Sequence, residues 1–384
     1  CPKLRFPGFD EPWKAALLSD YFAKNIKKNA DGAITNVICN SAKQGLIPQR
    51  DYFDKDIANS DNTDGYYIIE TNDFVYNPRK STDAPYGPIS SYKYPEAGIV
   101  SPLYLCFRAK QEINPLYFEW YFRSSAWHRY IYMSGDSGAR HDRVSIKDDT
   151  FFAMPINIPS AKEQDRIALF LNAIEQKIDK QRSLVDALKK YKRGLVKALI
   201  SGTVAFAGSE NKHWETVSLA EIFTISAGGD IDRQNSSPTY STSYPYPVYA
   251  NALTNNGLYG YANYFKVEGD SITVSGRGEV GHAIARHCKY VPIVRLLSLV
   301  PKYEDDVDFF AHIINATSIY IESTGVPQLT SPQLGAVKVL RPPIWEQKRI
   351  SSLLLKIDVK IENEEHLTLY LAKIRSSMLQ QLFI

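Results

Sequence analysis

The sequence predicts an α+β protein in which two variable domains are separated by two long antiparallel helices, a coiled-coil spacer, with a pseudo-two-fold internal repeat. Three observations predict this fold: a length of 384 residues, a gapless repeat, and a heptad pattern in both copies of the repeat. A chain of this length has room for two or three domains, each with its own core. We place the first variable domain at 1–158, the first spacer helix at 159–202, the second variable domain at 203–341 and the second spacer helix at 342–384.

The repeat aligns 159–200 with 342–383, and 13 of the 42 aligned positions are identical. Both copies open with Pro-x-x-x-Glu-Gln-x-Arg-Ile. The segments 13–22 and 214–223, which open the two halves, are also similar, and each begins with Trp. The chain is therefore a doubled unit, with a variable region followed by a repeated segment in each half.

The repeated segments have the pattern of long helices that pack on each other. Apolar residues recur at heptad a and d positions in both copies, and neither copy contains an internal proline after its first turn. Forty residues of helix span about 60 Å. Two core helices in separate globular domains are the alternative interpretation. The residues predicted to pack the helices together are Ile167, Leu171, Ile174, Ile178, Gln181, Leu188, Ile350, Leu354, Ile357, Ile361, Glu364 and Leu371.

The variable regions have the pattern of mostly sheet domains. Turn-forming residues surround short runs of β-branched and aromatic residues. Strands are expected at 99–107, 151–154, 271–275 and 293–300. One short helix is expected in each region, at 115–131 and at 307–319.

Composition excludes several classes of protein. Hydrophobic residues make up 44% and charged residues 23%, which is typical of globular chains. No apolar run approaches the roughly 20 residues of a membrane span, and the N-terminus lacks the apolar core of a signal peptide. The four cysteines lie far apart, which argues against a disulfide scaffold or a cysteine zinc site. We therefore expect a cytoplasmic protein with no membrane partner.

The charge distribution gives no simple sign of nucleic-acid binding. The formal net charge is +3, but 29 basic and 32 acidic residues lie outside 160–200 and 343–384. Because the variable regions have no basic coat, any DNA-binding hypothesis must depend on particular residues instead.

Motifs for base methylation or nucleotide hydrolysis are missing. Methylation of an amino group on a base needs an acidic or amide residue before Pro-Pro-aromatic. The nearest match begins at Arg341, and arginine cannot accept the hydrogen bond of the amine. The chain has no Gly-rich strand–turn–helix for a methyl-donor cofactor and no G-x-x-x-x-G-K-[ST].

Metal sites are not indicated either. Glu175 and Lys177 resemble half of a nuclease site, but they lie on a predicted helix, where solvated charge is the better interpretation. His282, His287 and Cys288 have no acidic or histidine partner at metal-binding spacing. We expect no catalytic residue, no metal and no cofactor.

Polar and aromatic loop residues are the remaining candidates for function. Arginine can bind guanine through two hydrogen bonds, and asparagine or glutamine can bind adenine in the same way, in the major groove of DNA. Glycine-rich loops allow backbone to approach phosphates closely. Each cluster alone could equally be ordinary loop surface. The residues predicted to contact DNA are Asn77, Arg79, Lys80, Arg140, His141, Arg143, Asn251, Tyr259, Arg277, Thr324, Gln328 and Thr330.

The doubled plan resembles the specificity (S) subunits of type I restriction–modification systems, and the resemblance covers nearly the whole chain. The matching pieces are the opening at 4–9 with Trp13, the segments 73–78 and 98–104, the Gly-rich stretch 257–281, and the motif that opens each helix. The helix motif is the most specific of these, because it occurs twice.

The resemblance implies that each variable domain is a target-recognition domain that reads one half of a split double-stranded DNA sequence. It also implies that the helices dock two methyltransferase (M) subunits, and that restriction/translocase (R) subunits complete the complex. The chain itself would then be a non-catalytic specificity component. Two alternatives stay open: the recognition part of a fused restriction–methylation enzyme, or a protein scaffold with a helical stalk that does not bind DNA.

Overall fold

The structure is a computed structural model, and it divides into two compact units. Unit 1 comprises Cys1–Lys180 and Thr368–Ile384, and unit 2 comprises Gln181–Leu367. Both boundaries between the units fall inside the two long helices. The residues that the structure describes are 2–52, 63–135, 142–201, 203–204, 214–317 and 328–384.

Unit 1 is built from short strands and short helices. Its strands are β1 (Lys14–Leu17), β2 (Phe22–Lys24), β3 (Ile38–Ser41), β4 (Gly45–Pro48), β5 (Tyr67–Ile69), β6 (Phe74–Tyr76), β7 (Ile89–Ser91), β8 (Gly98–Val100), β9 (Leu105–Ala109) and β10 (Pro155–Ile158). Its short helices are α1 (Leu18–Tyr21), α2 (Gln49–Tyr52), α3 (Pro115–Arg123), α4 (His128–Ser134) and α5 (Asp148–Phe152). A four-stranded antiparallel sheet has the order β2-β9-β6-β7, and the other antiparallel pairs are β1-β10, β3-β4 and β5-β8.

Helix α3 covers the four-stranded sheet with aromatic side chains. Pro115 occupies the first turn, and the Asn114 side chain caps the helix by accepting a hydrogen bond from the Tyr117 amide at 2.9 Å. Phe118 lies edge-on to Phe22 of the sheet, with ring centroids 4.9 Å apart. Full burial of such a ring contributes roughly 1.5–3 kcal/mol. This aromatic layer is the core of unit 1.

Three predictions for unit 1 need correction. The strand expected at 99–107 is two strands, β8 and β9, with a turn between them. The strand expected at 151–154 is wrong, because Phe151 lies in α5 and stacks on Tyr76 at 5.3 Å. Acidic residues in the first turn of α5 favour a helix, and a short apolar run does not distinguish a strand from a buried helix. The single helix expected at 115–131 is two helices, α3 and α4.

Helix α6 (Ala161–Ile200) begins in unit 1 and ends in unit 2. Unit 2 then continues with strands β11 (Glu215–Ser218), β12 (Phe223–Ala227), β13 (Ser236–Ser237), β14 (Tyr246–Tyr249), β15 (Leu258–Ala262), β16 (Ser271–Val274), β17 (Ala283–Arg286), β18 (Val291–Pro292), β19 (Leu297–Pro301) and β20 (Lys338–Arg341). Its short helices are α7 (Leu219–Ile222), α8 (Val307–Ala316) and α9 (Ser331–Gly335), and a 3-10 turn spans Thr254–Gly257. Helix α10 (Ile344–Phe383) begins in unit 2 and ends in unit 1.

Two four-stranded sheets form the body of unit 2. Their orders are β12-β19-β16-β17 and β13-β15-β14-β18, and β11 pairs with β20. The strand predicted at 271–275 is confirmed as β16. The strand predicted at 293–300 begins later, at β19, because Val294 and Arg295 have positive φ angles of 52° and 61° in a turn. The helix predicted at 307–319 is α8 as far as Ala316, and 318–319 lie outside the described residues.

Within unit 2, α6 and α10 run antiparallel, as predicted. The Gln181 amide donates to the Glu364 carboxylate. Further along α6, Lys192 pairs with Asp358, which lies earlier on α10. Residue numbers therefore increase along one helix as the numbers of their partners decrease along the other, which defines an antiparallel pair. In unit 1, the remaining parts of the two helices are joined by an ion pair between Arg375 and Glu175.

The residues predicted to pack the two helices together are all at least half-buried. Six of them are buried: Ile167, Leu171, Ile178, Ile350, Leu354 and Ile361. Six are half-buried: Ile174, Gln181, Leu188, Ile357, Glu364 and Leu371.

A hydrogen bond to a buried glutamate ties the first turn of each long helix to the start of the variable region that precedes it. Trp13 Nε1 donates to Glu163 Oε2 at 3.2 Å in unit 1, and Trp214 Nε1 donates to Glu346 Oε2 at 2.9 Å in unit 2. The two glutamates are only 1% and 2% exposed. A carboxylate is favoured at a helix N-terminus, but one that is buried must be hydrogen-bonded. The similar openings of the two halves and the helix motif are thus parts of one contact.

The rest of the helix motif has equivalent roles in both copies. Gln164 Nε2 donates to the carbonyl of Pro159 at 3.1 Å, and Gln347 Nε2 donates to that of Pro342 at 2.8 Å. The isoleucine that ends the motif is 1% exposed in both copies. The motif therefore builds a structural corner between the last strand of each unit and its long helix.

We expect Trp214→Phe to destabilise unit 2 by about 1.5–3 kcal/mol, because a hydrogen bond to a buried charged group is lost. The matched control is Trp345→Phe, since the Trp345 ring is 48% exposed on the same helix and its loss should change stability by less than about 0.5 kcal/mol. Urea unfolding of both variants measures the difference. Equal effects of the two substitutions would contradict the importance of the corner.

Candidate nucleic-acid interface

Unit 1 has a cleft of about 890 Å³ that brings several predicted residues together. Its walls come from the β3–β4 hairpin, the turn after β6, the turn between β8 and β9, and Arg143. Asn77, Arg79 and Lys80, all from the turn after β6, line it beside Arg143. Arg140 and His141, predicted as their neighbours, lie outside the described residues.

Backbone hydrogen bonds hold the two basic segments of the cleft side by side. The Lys80 amide donates to the Asp142 carbonyl at 2.8 Å, and the Val144 amide donates to the Pro78 carbonyl at 2.9 Å. Between these bonds, Arg79 and Arg143 form an antiparallel bridge. Main-chain hydrogen bonds therefore fix the backbone from which these cationic side chains project.

Asn77 shapes the turn through its side chain. Its Nδ2 donates to the Asn40 carbonyl at 3.1 Å, and its Oδ1 accepts from the Arg79 amide at 3.1 Å. The second bond is an Asx turn, which sets the direction of the following residues. Asn77 thus positions Arg79, whatever else it contacts.

The electrostatics of the cleft favour an anion. The lining includes four cations, Lys43, Arg79, Lys80 and Arg143, against one carboxylate, Asp83. Lys43 pairs with Asp83 at 3.6 Å and Arg143 with Asp142 at 3.7 Å, so Arg79 and Lys80 supply the excess charge. Arg79 and Lys80 are exposed, so their charges are available to a ligand. A local excess of cations in a concave surface concentrates the field, even though the chain as a whole is almost neutral.

Sequence reasoning missed the hairpin side of this cleft. Lys43 and Gln44, at the tip of the β3–β4 hairpin, and Leu103 and Tyr104 also line it. Burial raises the pKa of Tyr104, so its hydroxyl stays protonated as a donor. A glycine turn between two short strands was the available signal, but only the tertiary fold brings that hairpin to the basic segments.

In unit 2, four loop segments converge on Gly276. Its amide donates to Asn251 Oδ1 at 2.8 Å, and its carbonyl accepts from the Leu329 amide at 2.9 Å. Asn251 Nδ2 in turn donates to the Val294 carbonyl at 2.5 Å. A Cβ at Gly276 would lie 2.8 Å from the Arg295 carbonyl oxygen, so only glycine fits.

The segments around Asn251, Gly276, Val294 and Leu329 together make up the loop surface of unit 2. The predicted residues have different surroundings on this surface. Asn251 has both polar atoms engaged, as described above. The Arg277 guanidinium is exposed and hydrogen-bonds the side chain of Gln328. Thr330 caps α9 and donates to Gln333 Oε1 at 2.8 Å. Tyr259, on β15, is 61% exposed, and Thr324 lies outside the described residues.

Sequence reasoning also missed the turn at Val294 and Arg295. Both side chains are exposed although both residues have left-handed backbone. A β-branched residue such as Val294 rarely adopts this conformation, and such strain is often found at functional sites. No sequence pattern signals it, because asparagine or glycine would be expected there.

A buried arginine supports the floor of this loop surface. Arg286 lies over the Tyr249 ring at 3.7 Å, and its Nη2 donates to the Asn256 carbonyl at 2.7 Å. Burial lowers the pKa of Arg286 from its ordinary value, while Tyr249 and Tyr290 oppose the shift. The guanidinium still remains charged and holds the 3-10 turn against β17.

The described residues contain no group of three or more His, Cys, Asp or Glu side chains arranged to hold a metal ion. In the same part of the chain, no helix is both long and apolar enough to cross a membrane.

The chain is similar in sequence to one protein family and to several named proteins. Residues 211–371 match the protein family described as the type I restriction modification DNA specificity domain. A protein of Mycoplasma pneumoniae named as a type I specificity subunit is 26% identical over 200 residues, which cover 52% of this chain and 54% of that protein. A second one from the same organism is 31% identical over 145 residues, which cover 38% and 42%. The chain spans about half the length of the curated relatives it matches.

Two solved structures are similar in fold. The crystal structure of a type I restriction–modification S subunit from M. genitalium has a TM-score of 0.61 at 15% identity, covering 100% of this chain and 99% of that one. A chain from a structural study of assembly and conformational transition of the type I system has a TM-score of 0.62 at 15% identity, covering 98% of both chains. At this identity the likeness concerns the fold alone.

We expect Gly276→Ala to destabilise unit 2 by about 1–3 kcal/mol, because the added methyl group would push apart backbone segments that carry the loop surface. Gly269→Ala is the matched control, since no atom lies within 4 Å of a Cβ there and its φ is not left-handed. Thermal unfolding compares the two. If both variants melt like the wild type, the loops do not depend on close approach at Gly276.

Proposed function

We propose that this chain, which belongs to the family of type I restriction–modification specificity subunits, binds a bipartite double-stranded DNA target, with each unit reading one half. The observation that carries the proposal is the DNA specificity domain match at 211–371, which includes the whole described loop surface of unit 2. The cationic cleft of unit 1 supports a second, chemically different reading surface. In this proposal the chain is a non-catalytic component that directs modification and cleavage by other subunits.

The proposed partners are two methyltransferase subunits, and restriction/translocase subunits in the full complex. Large apolar side chains exposed on the long helices support docking of other proteins. In unit 1 these include Leu169 and Tyr370, and in unit 2 they include Tyr191 and Val359, all more than half exposed. A docked partner would remove these apolar side chains from water, which favours association.

The test is methylome sequencing of cells with and without this chain. The expected result is loss of methylation at a single split sequence when the chain is removed. A purified chain that transfers methyl groups unaided would instead support the fused-enzyme alternative. A chain that enriches no sequence from a random duplex library, with or without methyltransferase subunits, would support the protein-scaffold alternative.

Arg79→Gln should weaken binding of duplex DNA across unrelated sequences. Loss of one phosphate-neutralising cation from the unit 1 cleft should reduce the slope of log affinity against log salt concentration by about 0.9. The control is Lys14→Gln, which removes an exposed cation of β1 that does not line the cleft. Equal salt slopes for the two variants would show that the cleft does not face DNA.

We also propose that the helix pair sets the gap between the two half-sites. Inserting four residues at facing points of α6 and α10 adds about one turn, or ~6 Å. Since duplex DNA rises ~3.4 Å per base pair, the preferred gap should grow by about one or two base pairs while each half-site is unchanged.

Methylation of a library with fixed half-sites and varied spacers measures that gap. Insertion into α6 alone is the control, because it should disrupt the seam rather than change the spacing. An unchanged optimum in a folded, active double-insertion variant would show that something other than the helices holds the half-sites apart.

A further inference from the structure

Arg277 and Gln328 form a hydrogen-bonded pair at the edge of the unit 2 loop surface. Arg277 Nε and Nη2 both donate to Gln328 Oε1, at 3.3 and 3.0 Å. Gln328 is half-buried, and the next residue, Leu329, is 1% exposed and bonded through its amide to Gly276. Arg277 follows Gly276 directly. Both members of the pair are thus anchored to the same closely packed point of the backbone.

The orientation of the amide follows from the chemistry of arginine. A guanidinium has five N–H donors and no acceptor, so it must face the oxygen of the Gln328 amide and not its nitrogen. Gln328 Nε2 is then left as a donor. Among the described residues, neither this nitrogen nor the Nη1 side of Arg277 has another hydrogen-bond partner.

The outward edge of the pair therefore presents hydrogen-bond donors only. In the major groove, guanine shows two adjacent acceptors, O6 and N7. Adenine shows one acceptor beside a donor, thymine one acceptor beside a methyl group, and cytosine a donor. Building on the proposed DNA-binding function, we propose that Arg277 reads a guanine in the half-site of unit 2, and that Gln328 is a positioning residue that fixes the plane of the guanidinium.

A phosphate also offers acceptors, but the surroundings of the pair favour a base. A fixed planar fork gives directional selectivity, which a phosphate contact does not require. Arg295, on the adjacent turn, suits a phosphate better. Its side chain is exposed and has no hydrogen-bond or ion-pair partner among the described residues. It therefore serves as the matched control for Arg277.

The experiment is selection from a random duplex library by the full chain in complex with its methyltransferase subunits. The wild type should enrich guanine at one position. Arg277→Lys should lower the preference for guanine there by about tenfold and leave the other positions unchanged, because lysine keeps the charge but cannot form two parallel hydrogen bonds. Gln328→Met should lower the preference for guanine at the same position by a smaller factor. The double variant should be no worse than Arg277→Lys, since Gln328 acts through Arg277.

Arg295→Gln should lower retention of all sequences and leave base preference intact. Two outcomes would overturn the assignment: an unchanged guanine preference in Arg277→Lys, or a uniform loss of binding like that of Arg295→Gln, which would make Arg277 a phosphate contact. A wild-type complex that enriches no sequence would refute the proposed function and the guanine contact together. If the wild type selects a sequence but either of those two outcomes is found, the guanine contact is refuted and the proposed DNA-binding function is not.

Discussion

The constraint on which both units depend is the buried carboxylate at the first turn of each long helix. A nearly inaccessible glutamate is tolerated only when hydrogen-bonded, and in both units one partner is the tryptophan at the start of the variable region. In unit 1, Arg5 adds two further bonds to Glu163, at 2.9 and 2.8 Å. Each contact joins residues more than 130 positions apart and fixes where the variable region begins and ends.

Polar contacts within the helix seam add a second constraint. In unit 2, Gln181 faces Glu364 and Lys192 faces Asp358. Between them on α6, Lys189 pairs with Glu365. Replacing polar pairs inside a protein with apolar residues of similar volume is often neutral or stabilising, because the cost of desolvation offsets the attraction. Stability alone therefore does not account for these pairs. A polar residue at one seam position disfavours every register in which it lacks its partner. In unit 2 these pairs therefore define one register for the part of the seam that they occupy.

The sequence predicted the helices and their pairing well, because a seam repeated over forty residues is a strong periodic signal. It also identified both members of the tryptophan–glutamate contact, as parts of a repeat, without revealing that they touch. Short helices and strands are harder to predict from the sequence. The run at 151–154 has the apolar character of a strand, yet Asp148 and Asp149 start a helix there and the packing of Phe151 on Tyr76 stabilises it. Tertiary packing decides such short runs, and local pattern does not.

The same limit applies more strongly to the candidate site. The sequence predicts Asn77, Asn251 and Thr330 as DNA contacts because they are polar loop residues, whereas the fold uses their side chains to shape loops. No sequence pattern predicts Arg295 as a candidate, because its exposure depends on a left-handed turn that also strains Val294. Whether a loop side chain faces outward is determined by hydrogen bonds to distant segments, such as those converging on Gly276. Since these bonds differ between the two units while the corners match, one scaffold presents a cationic cleft in one unit and a hydrogen-bonding arginine–glutamine pair in the other.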